Sequence, residues 1–252
     1  MMTKRKSPVL IICFIVTVFS AGNSFAMHPL VTDDPETQGL RKSQIEFDAE
    51  YSHNREEGST QEEYDFKSIY SYGVARNADI VLTVPYVYVH DGTTERGLSD
   101  VTAEVKWRFY ENGPVALAVK PGISIPAGEA SRGLGTGRLN YSVSLIGGLE
   151  ERPWTFYVNA GYVRASNPAD EDENLFDVSL AATYELKEDV LLVGNIGTRT
   201  NPARVSVTPD SFILGGIVYS VTRDIDIDLG VKGGIGGDEP DYQLLSAFTR
   251  RF

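Results

Sequence analysis

The 252-residue chain holds one cysteine and three methionines. The lone cysteine, Cys13, excludes an internal disulfide and any zinc site built from paired cysteines. Positive charge is also scarce: 23 Lys and Arg stand against 35 Asp and Glu, a net charge of −12. A chain this acidic lacks the cationic surface that phosphates demand, so nucleic acid is not an expected partner. Beyond residue 26 there is no apolar run of the roughly 18 residues that a membrane helix needs. Sustained 3.6-residue periodicity is missing as well, which argues against amphipathic helices. Disorder is excluded in turn, because hydrophobic residues make up 42% of the chain.

The first 26 residues stand apart. Lys4, Arg5 and Lys6 form a basic start, Val9 to Phe19 is apolar except for Thr17, and Ser24 and Ala26 occupy small-residue cleavage positions. This is the pattern of a secretory signal peptide, and it is too short to span a bilayer. Cleavage after Ala26 would remove Cys13, which is no lipoprotein cysteine: Ile12 precedes it and the apolar run surrounds it. Residues 27–43 then read as a periplasmic N-terminal segment and 44–252 as a single folded unit.

What that unit has in abundance is period-2 alternation. Ile45, Phe47, Ala49 and Tyr51 alternate with Glu46, Asp48 and Glu50. Val101, Ala103, Val105, Trp107 and Phe109 alternate with Thr102, Glu104, Lys106 and Arg108. Ile225, Ile227, Leu229 and Val231 alternate with Asp226, Asp228 and Lys232. About twelve such segments occur, mostly about 9–12 residues long, the length of a tilted strand crossing a bilayer and about twice that of an ordinary strand. Longer connections, among them a polar loop at Ser52 to Glu62 and a loop at Asp91 to Ser99, alternate with short turns such as Glu111-Asn112-Gly113-Pro114. The predicted fold is all-β, a transmembrane antiparallel up-and-down β-barrel of about 12 strands, with its short turns and both termini on the periplasmic side. Closure satisfies every backbone amide where no water is available. Aromatic residues near the strand ends fit interfacial girdles against outer-membrane lipid. The terminal Phe252 on the last strand resembles the signal read by the barrel assembly machinery, although Arg250 stands where a hydrophobic residue is usual.

The polar face is the informative one. Glu46, Asp48, Glu50, Glu104, Lys106, Arg108, Asp226, Asp228 and Lys232 are predicted to face inward, to solvate the lumen and select by charge. If the last strand pairs with the first, Asp226 and Asp228 join the acids of strand one on a single wall, with Lys106 and Arg108 elsewhere on the circumference. The acid excess predicts a mild cation preference. These same groups could instead pair and plug a narrow lumen. Twelve strands lie between filled eight-strand barrels and open porins.

Other chemistry is weaker. His90, Ser99 and Asp100 are a conceivable hydrolase grouping at the outer rim, but Ser and Asp are ordinary turn residues there. His28 is followed by Asp33 and Asp34, with Pro29 interrupting the backbone nitrogens that a terminal metal site would use. The run Asp170 to Asn174 offers oxygens but not calcium-loop spacing. No catalytic residue, metal or cofactor is assigned. Glycine pairs within strands, such as Gly147-Gly148 and Gly215-Gly216, bend barrel strands or leave room in the lumen.

The stretch His28 to Gly39 followed by Gln44-Ile45-Glu46, together with Tyr72-Gly73-Val74 leading to Val84-Pro85-Tyr86, resembles the outer-membrane protein family of the meta-pathway of phenol degradation. The similarity runs from about His28 to Phe252. It implies an outer-membrane barrel that passes small organic compounds, and it brings no catalytic residues. The expected function is therefore passage of small solutes, aromatic or otherwise apolar. The alternatives are a lipid hydrolase using His90 and Ser99, and a structural or adhesive barrel with a plugged lumen.

Overall fold

The computed structural model describes residues 28–56, 59–166, 171–202 and 208–252. The leader peptide read from residues 1–26 lies outside them, as do Met27 and Asp170. Thirteen strands form one antiparallel sheet. They are β1 (Ser43–Glu56), β2 (Ser59–Ala75), β3 (Ala78–Asp91), β4 (Thr93–Leu98), β5 (Val101–Asn112), β6 (Val115–Ile125) and β7 (Asn140–Glu151). Then follow β8 (Trp154–Arg164), β9 (Asn174–Lys187), β10 (Val190–Arg199), β11 (Asp210–Thr222), β12 (Ile225–Gly236) and β13 (Tyr242–Arg251). The lower half of β3 pairs with β5 and its upper half with β4, so β4 and β5 share one position in the wall, broken at Ser99-Asp100. Pairing of β1 with both β2 and β13 closes the sheet into a 12-position barrel.

Closure follows from the strand pattern. Each strand presents apolar side chains outward, among them Phe47, Ile80, Val105, Leu145, Val158, Leu180, Ile217 and Leu229, all exposed. The side chains between them are polar and buried: Glu46, Asp48, Asp79, Lys106, Asn159, Ser179, Asn195, Asp226 and Asp228. This inverts a water-soluble protein and matches a wall between lipid and lumen. Connections between strands at the lower end are two-residue turns, Arg76-Asn77, Gly113-Pro114, Arg152-Pro153, Glu188-Asp189 and Arg223-Asp224. Ser43 and Phe252 lie at this same end, where their backbones exchange hydrogen bonds of 3.3 and 2.8 Å.

Two aromatic girdles mark the ends of the apolar band. Beside the turns, Trp154 sits 4.8 Å from Tyr184 and Trp107 sits 5.9 Å from Phe109, centroid to centroid. Toward the loops, Tyr51 lies 5.0 Å from Tyr64, Tyr64 lies 5.8 Å from Tyr88, and Tyr162 lies 5.2 Å from Phe176.

The strand bounds differ from the sequence reading at the upper end. The polar loop read at Ser52 to Glu62 is largely strand, since β1 and β2 pair out to Glu56 and Ser59. The loop read at Asp91 to Ser99 is mostly β4. Above the girdle both strand faces meet water, so the alternation that reveals a strand is lost while its backbone ladder continues.

Trp107 and Trp154 are the chain's two tryptophans, both half exposed on the outer face of the lower girdle. In vesicles of lipid brominated on the upper acyl chain, tryptophan fluorescence should be strongly quenched. Emission unchanged by bromine would show that this face does not meet lipid.

Candidate functional site

The lumen is not empty. Residues 28–42, read from sequence as periplasmic, run inside the barrel and pass close along its inner wall. Two steric matches fix the start of this path. Gly39 has φ +83°, and a Cβ added at Gly73 of β2 would lie 1.7 Å from the Gly39 carbonyl oxygen, so only glycine fits there. From that contact the segment visits strand after strand. The Gln38 amide donates to Asp79 of β3 at 2.9 Å, and Arg108 of β5 reaches Glu36 at 2.5 Å. Pro35 fills the space left by Gly148 of β7, where a Cβ would meet its ring at 2.8 Å.

Asp33 is the electrostatic anchor. Its two carboxylate oxygens take Lys106 of β5 and Lys120 of β6, each at 2.7 Å. Burial works against its charge, but the two ammonium groups outweigh it and hold the carboxyl well below its usual range. Neighbouring Asp34 is buried more than it is compensated; burial, offset in part by Lys106, pushes it up to about 6. The Asn159 amide of β8, oriented to satisfy both groups, brackets the Asp33 backbone with bonds of 2.6 and 3.0 Å.

Beyond Asp33 the contacts become neutral. Asn195 of β10 accepts from the Val31 and Thr32 amides at 2.8 and 3.0 Å and donates to the Thr32 hydroxyl at 2.7 Å. The Thr32 hydroxyl donates to Ser179 of β9 at 2.8 Å. Leu30 packs on an apolar inner patch made by Leu191, Val193, Phe212, Leu214, Val218 and Leu245. Pro29 occupies the gap above Gly216 and Gly230, where a Cβ at either would approach it at 2.7 Å. His28 ends the path with Nδ1 2.5 Å from Asp228 of β12. Burial disfavours an imidazolium there, yet Asp228, Asp48 and Glu46 outweigh it and hold His28 above its usual pKa. The segment thus makes a belt around most of the inner circumference.

The sequence-predicted residues fall as follows. Glu46, Asp48 and Glu50 of β1 share one wall with Asp226 and Asp228 of β12, with β13 between them. Glu46 accepts from Thr249 at 3.0 Å, and Glu50 pairs with Lys67 at 2.6 Å. Asp226 takes Ser220 at 2.6 Å and pairs with Arg251. Glu104 lies 3.5 Å from Lys120. Lys106 and Arg108 stand elsewhere on the circumference, where they meet the belt's own acids rather than an open field across the lumen. Lys232 is higher, 2.7 Å from Glu239 and 4.7 Å over the Phe212 ring. The hydrolase grouping is not assembled. His90 contacts Thr94 at 3.0 Å, whereas the Ser99 amide bonds to Pro85, five residues and about 16 Å away along β3. Asp100 instead holds the loop after β6, accepting from Gly128 and Thr136.

Sequence reasoning missed Lys120, Asn195 and the belt as a lumenal element. The prolines at 29 and 35 and the paired glycines of β7 and β11 were each visible, but nothing in the sequence matched one to the other.

The family described as "Putative MetA-pathway of phenol degradation" matches residues 32–252. The chain belongs to this family. Among solved structures, it is similar to the COG4313 outer membrane channel from Pseudomonas putida F1, with a TM-score of 0.72 at 12% identity, covering 87% of this chain and 98% of that one. It is similar to the KdgM porin, TM-score 0.59 at 8% identity, over 83% and 99% of the two chains. It also resembles the beta domain of the Bordetella autotransporter BrkA, TM-score 0.57 at 12% identity, over 84% and 100%. At these identities the likeness is one of fold, that of outer-membrane barrels. No curated protein matches the sequence.

Removing Lys106 leaves the partly buried Asp33 carboxylate with Lys120 alone, at a cost below the about 3–5 kcal/mol of breaking a fully buried pair. The Lys106→Met barrel should remain folded but release the belt, and limited proteolysis should then cut within residues 28–42. Gly230→Val should do the same by displacing Pro29. Protease resistance equal to wild type in both variants would contradict this anchoring.

Proposed function

We propose that the protein is an outer-membrane channel for small solutes of mixed apolar and polar character, aromatic compounds among them, and that the belt controls passage. One observation carries this reading: cavities lie on both faces of the belt. The upper one, about 760 Å³, is bounded below by Val31 and Asp33 and lined by Val163, Leu175, Phe212, Arg199 and Lys232. The lower one, about 290 Å³, is bounded by Asp34, Pro35 and Glu36 and opens among the turns at Pro114 and Pro153. The upper volume suits a small organic molecule, and its mix of apolar and charged walls suits an amphipathic one.

The likeness to a channel and a porin supports this reading, as does membership of a family described by phenol degradation. A conduit needs no reaction chemistry, and the separation of His90 from Ser99 supports a non-enzymatic role. The excess of lumenal acids supports a mild cation preference. The apolar outer band and the terminal Phe252 support insertion into outer-membrane lipid by the barrel assembly machinery.

The test is single-channel conductance in planar bilayers, with reversal potential in a salt gradient. Wild type should give small, cation-biased steps. A variant lacking residues 28–38 should give steps several-fold larger. Equal conductance in the two would remove the belt from control of passage, and silence from both folded barrels would reject the channel.

A further inference from the structure

The place where the belt ends holds chemistry that a channel does not use. A ring nitrogen of His28 and one carboxylate oxygen each of Asp48 and Glu50 lie within 4.8 Å of one another. His28 and Asp48 are 8% and 6% exposed. His28 Nδ1 is committed to Asp228 Oδ1 at 2.5 Å, and this leaves Nε2 buried with no partner among the described residues. Asp48 Oδ1 is likewise buried and unpartnered, as is Asp228 Oδ2. A buried polar atom that nothing meets is destabilising.

The charge balance has the same sense. Four carboxylates converge here, those of Glu46, Asp48, Glu50 and Asp228. Facing them are Lys67, which pairs with Glu50 at 2.6 Å, and the imidazole itself. Thr249 supplies only a neutral hydroxyl, to Glu46 at 3.0 Å. Buried negative charge in excess of its partners calls for a cation.

We propose that His28, Asp48 and Glu50 bind a first-row divalent cation, zinc being the best fit, and that Asp228 orients the imidazole. One imidazole nitrogen with carboxylate oxygens is a donor set for zinc and its neighbours, whereas calcium and magnesium take oxygen alone. A carboxylate accepting the other ring N–H fixes the tautomer that presents Nε2 to the metal. The cation would clamp the His28 end of the belt to β1, the strand into which the belt leads. The site stands whether or not a solute crosses the barrel.

The experiment is calorimetric titration of the untagged, chelator-treated, folded barrel with zinc chloride, with calcium and magnesium chloride in parallel. One zinc per barrel is expected, with no comparable heat from calcium or magnesium. His28→Ala and Asp48→Asn, checked for folding by heat-modifiable electrophoretic mobility, should weaken binding at least about tenfold. Absence of zinc binding to wild type, or undiminished binding in a folded His28→Ala barrel, would overturn the site. X-ray absorption of the zinc-loaded wild type needs no variant. An oxygen shell with one imidazole is expected, and a shell without imidazole or with several would place the zinc elsewhere and overturn the proposal.

Discussion

The absence of water in the hydrocarbon layer is the constraint on which everything else rests. Backbone amides must then pair within the chain, and a sheet can meet that demand only by closing on itself. Closure turns the apolar side chains toward lipid and sends every other one inward. The interior therefore inherits Glu46, Asp48, Asp79, Lys106, Lys120, Asp226 and Asp228 in a space too narrow to hydrate each of them fully. A lumen of this width must supply partners for its charges.

The N-terminal segment is that supply. It carries Asp33 to the two lysines of β5 and β6 and Glu36 to Arg108. It brings backbone amides to Asn195 and an apolar Leu30 to the apolar patch of β10, β11 and β13. The wall is shaped to receive it, with glycines at 148, 216 and 230 where its prolines press. Along most of its course the segment neutralises the wall. At its end, by contrast, the acids outnumber the bases. Anchoring by many moderate contacts gives an element that is ordered yet separable from the barrel, because its backbone-to-backbone bonds to the strands among the described residues are confined to Arg41 and Lys42, both with Gly73 of β2.

Much of the barrel was legible in the sequence, and the exceptions have physical causes. Alternation in β1, β5, β8 and β12 reads directly as lipid face and lumen face. It fades in β10 and β11 because Leu191, Val193, Leu214 and Val218 face inward to seat Leu30, so both faces of those strands are apolar. It fades again above the girdle, where both faces are wet. The gathering of Asp226 and Asp228 with Glu46 and Asp48 could be foreseen, because closure dictates which strands meet. The belt could not be foreseen. A segment without periodicity carries no local sign of its surroundings, and its partners lie far along the chain, as Asp228 does from His28.

Placement of the belt inside the barrel is the claim on which the rest of this account depends. The described chain has no cysteine, so a pair can be introduced cleanly at Thr32 and Ser179, whose hydroxyl oxygens are 2.8 Å apart. The direct measurement is peptide mapping of the Thr32→Cys/Ser179→Cys barrel, folded in lipid and oxidised gently. The account predicts a disulfide joining the N-terminal segment to β9 in nearly every molecule. Free thiols at both positions in a folded barrel would contradict it and return the segment to the periplasm.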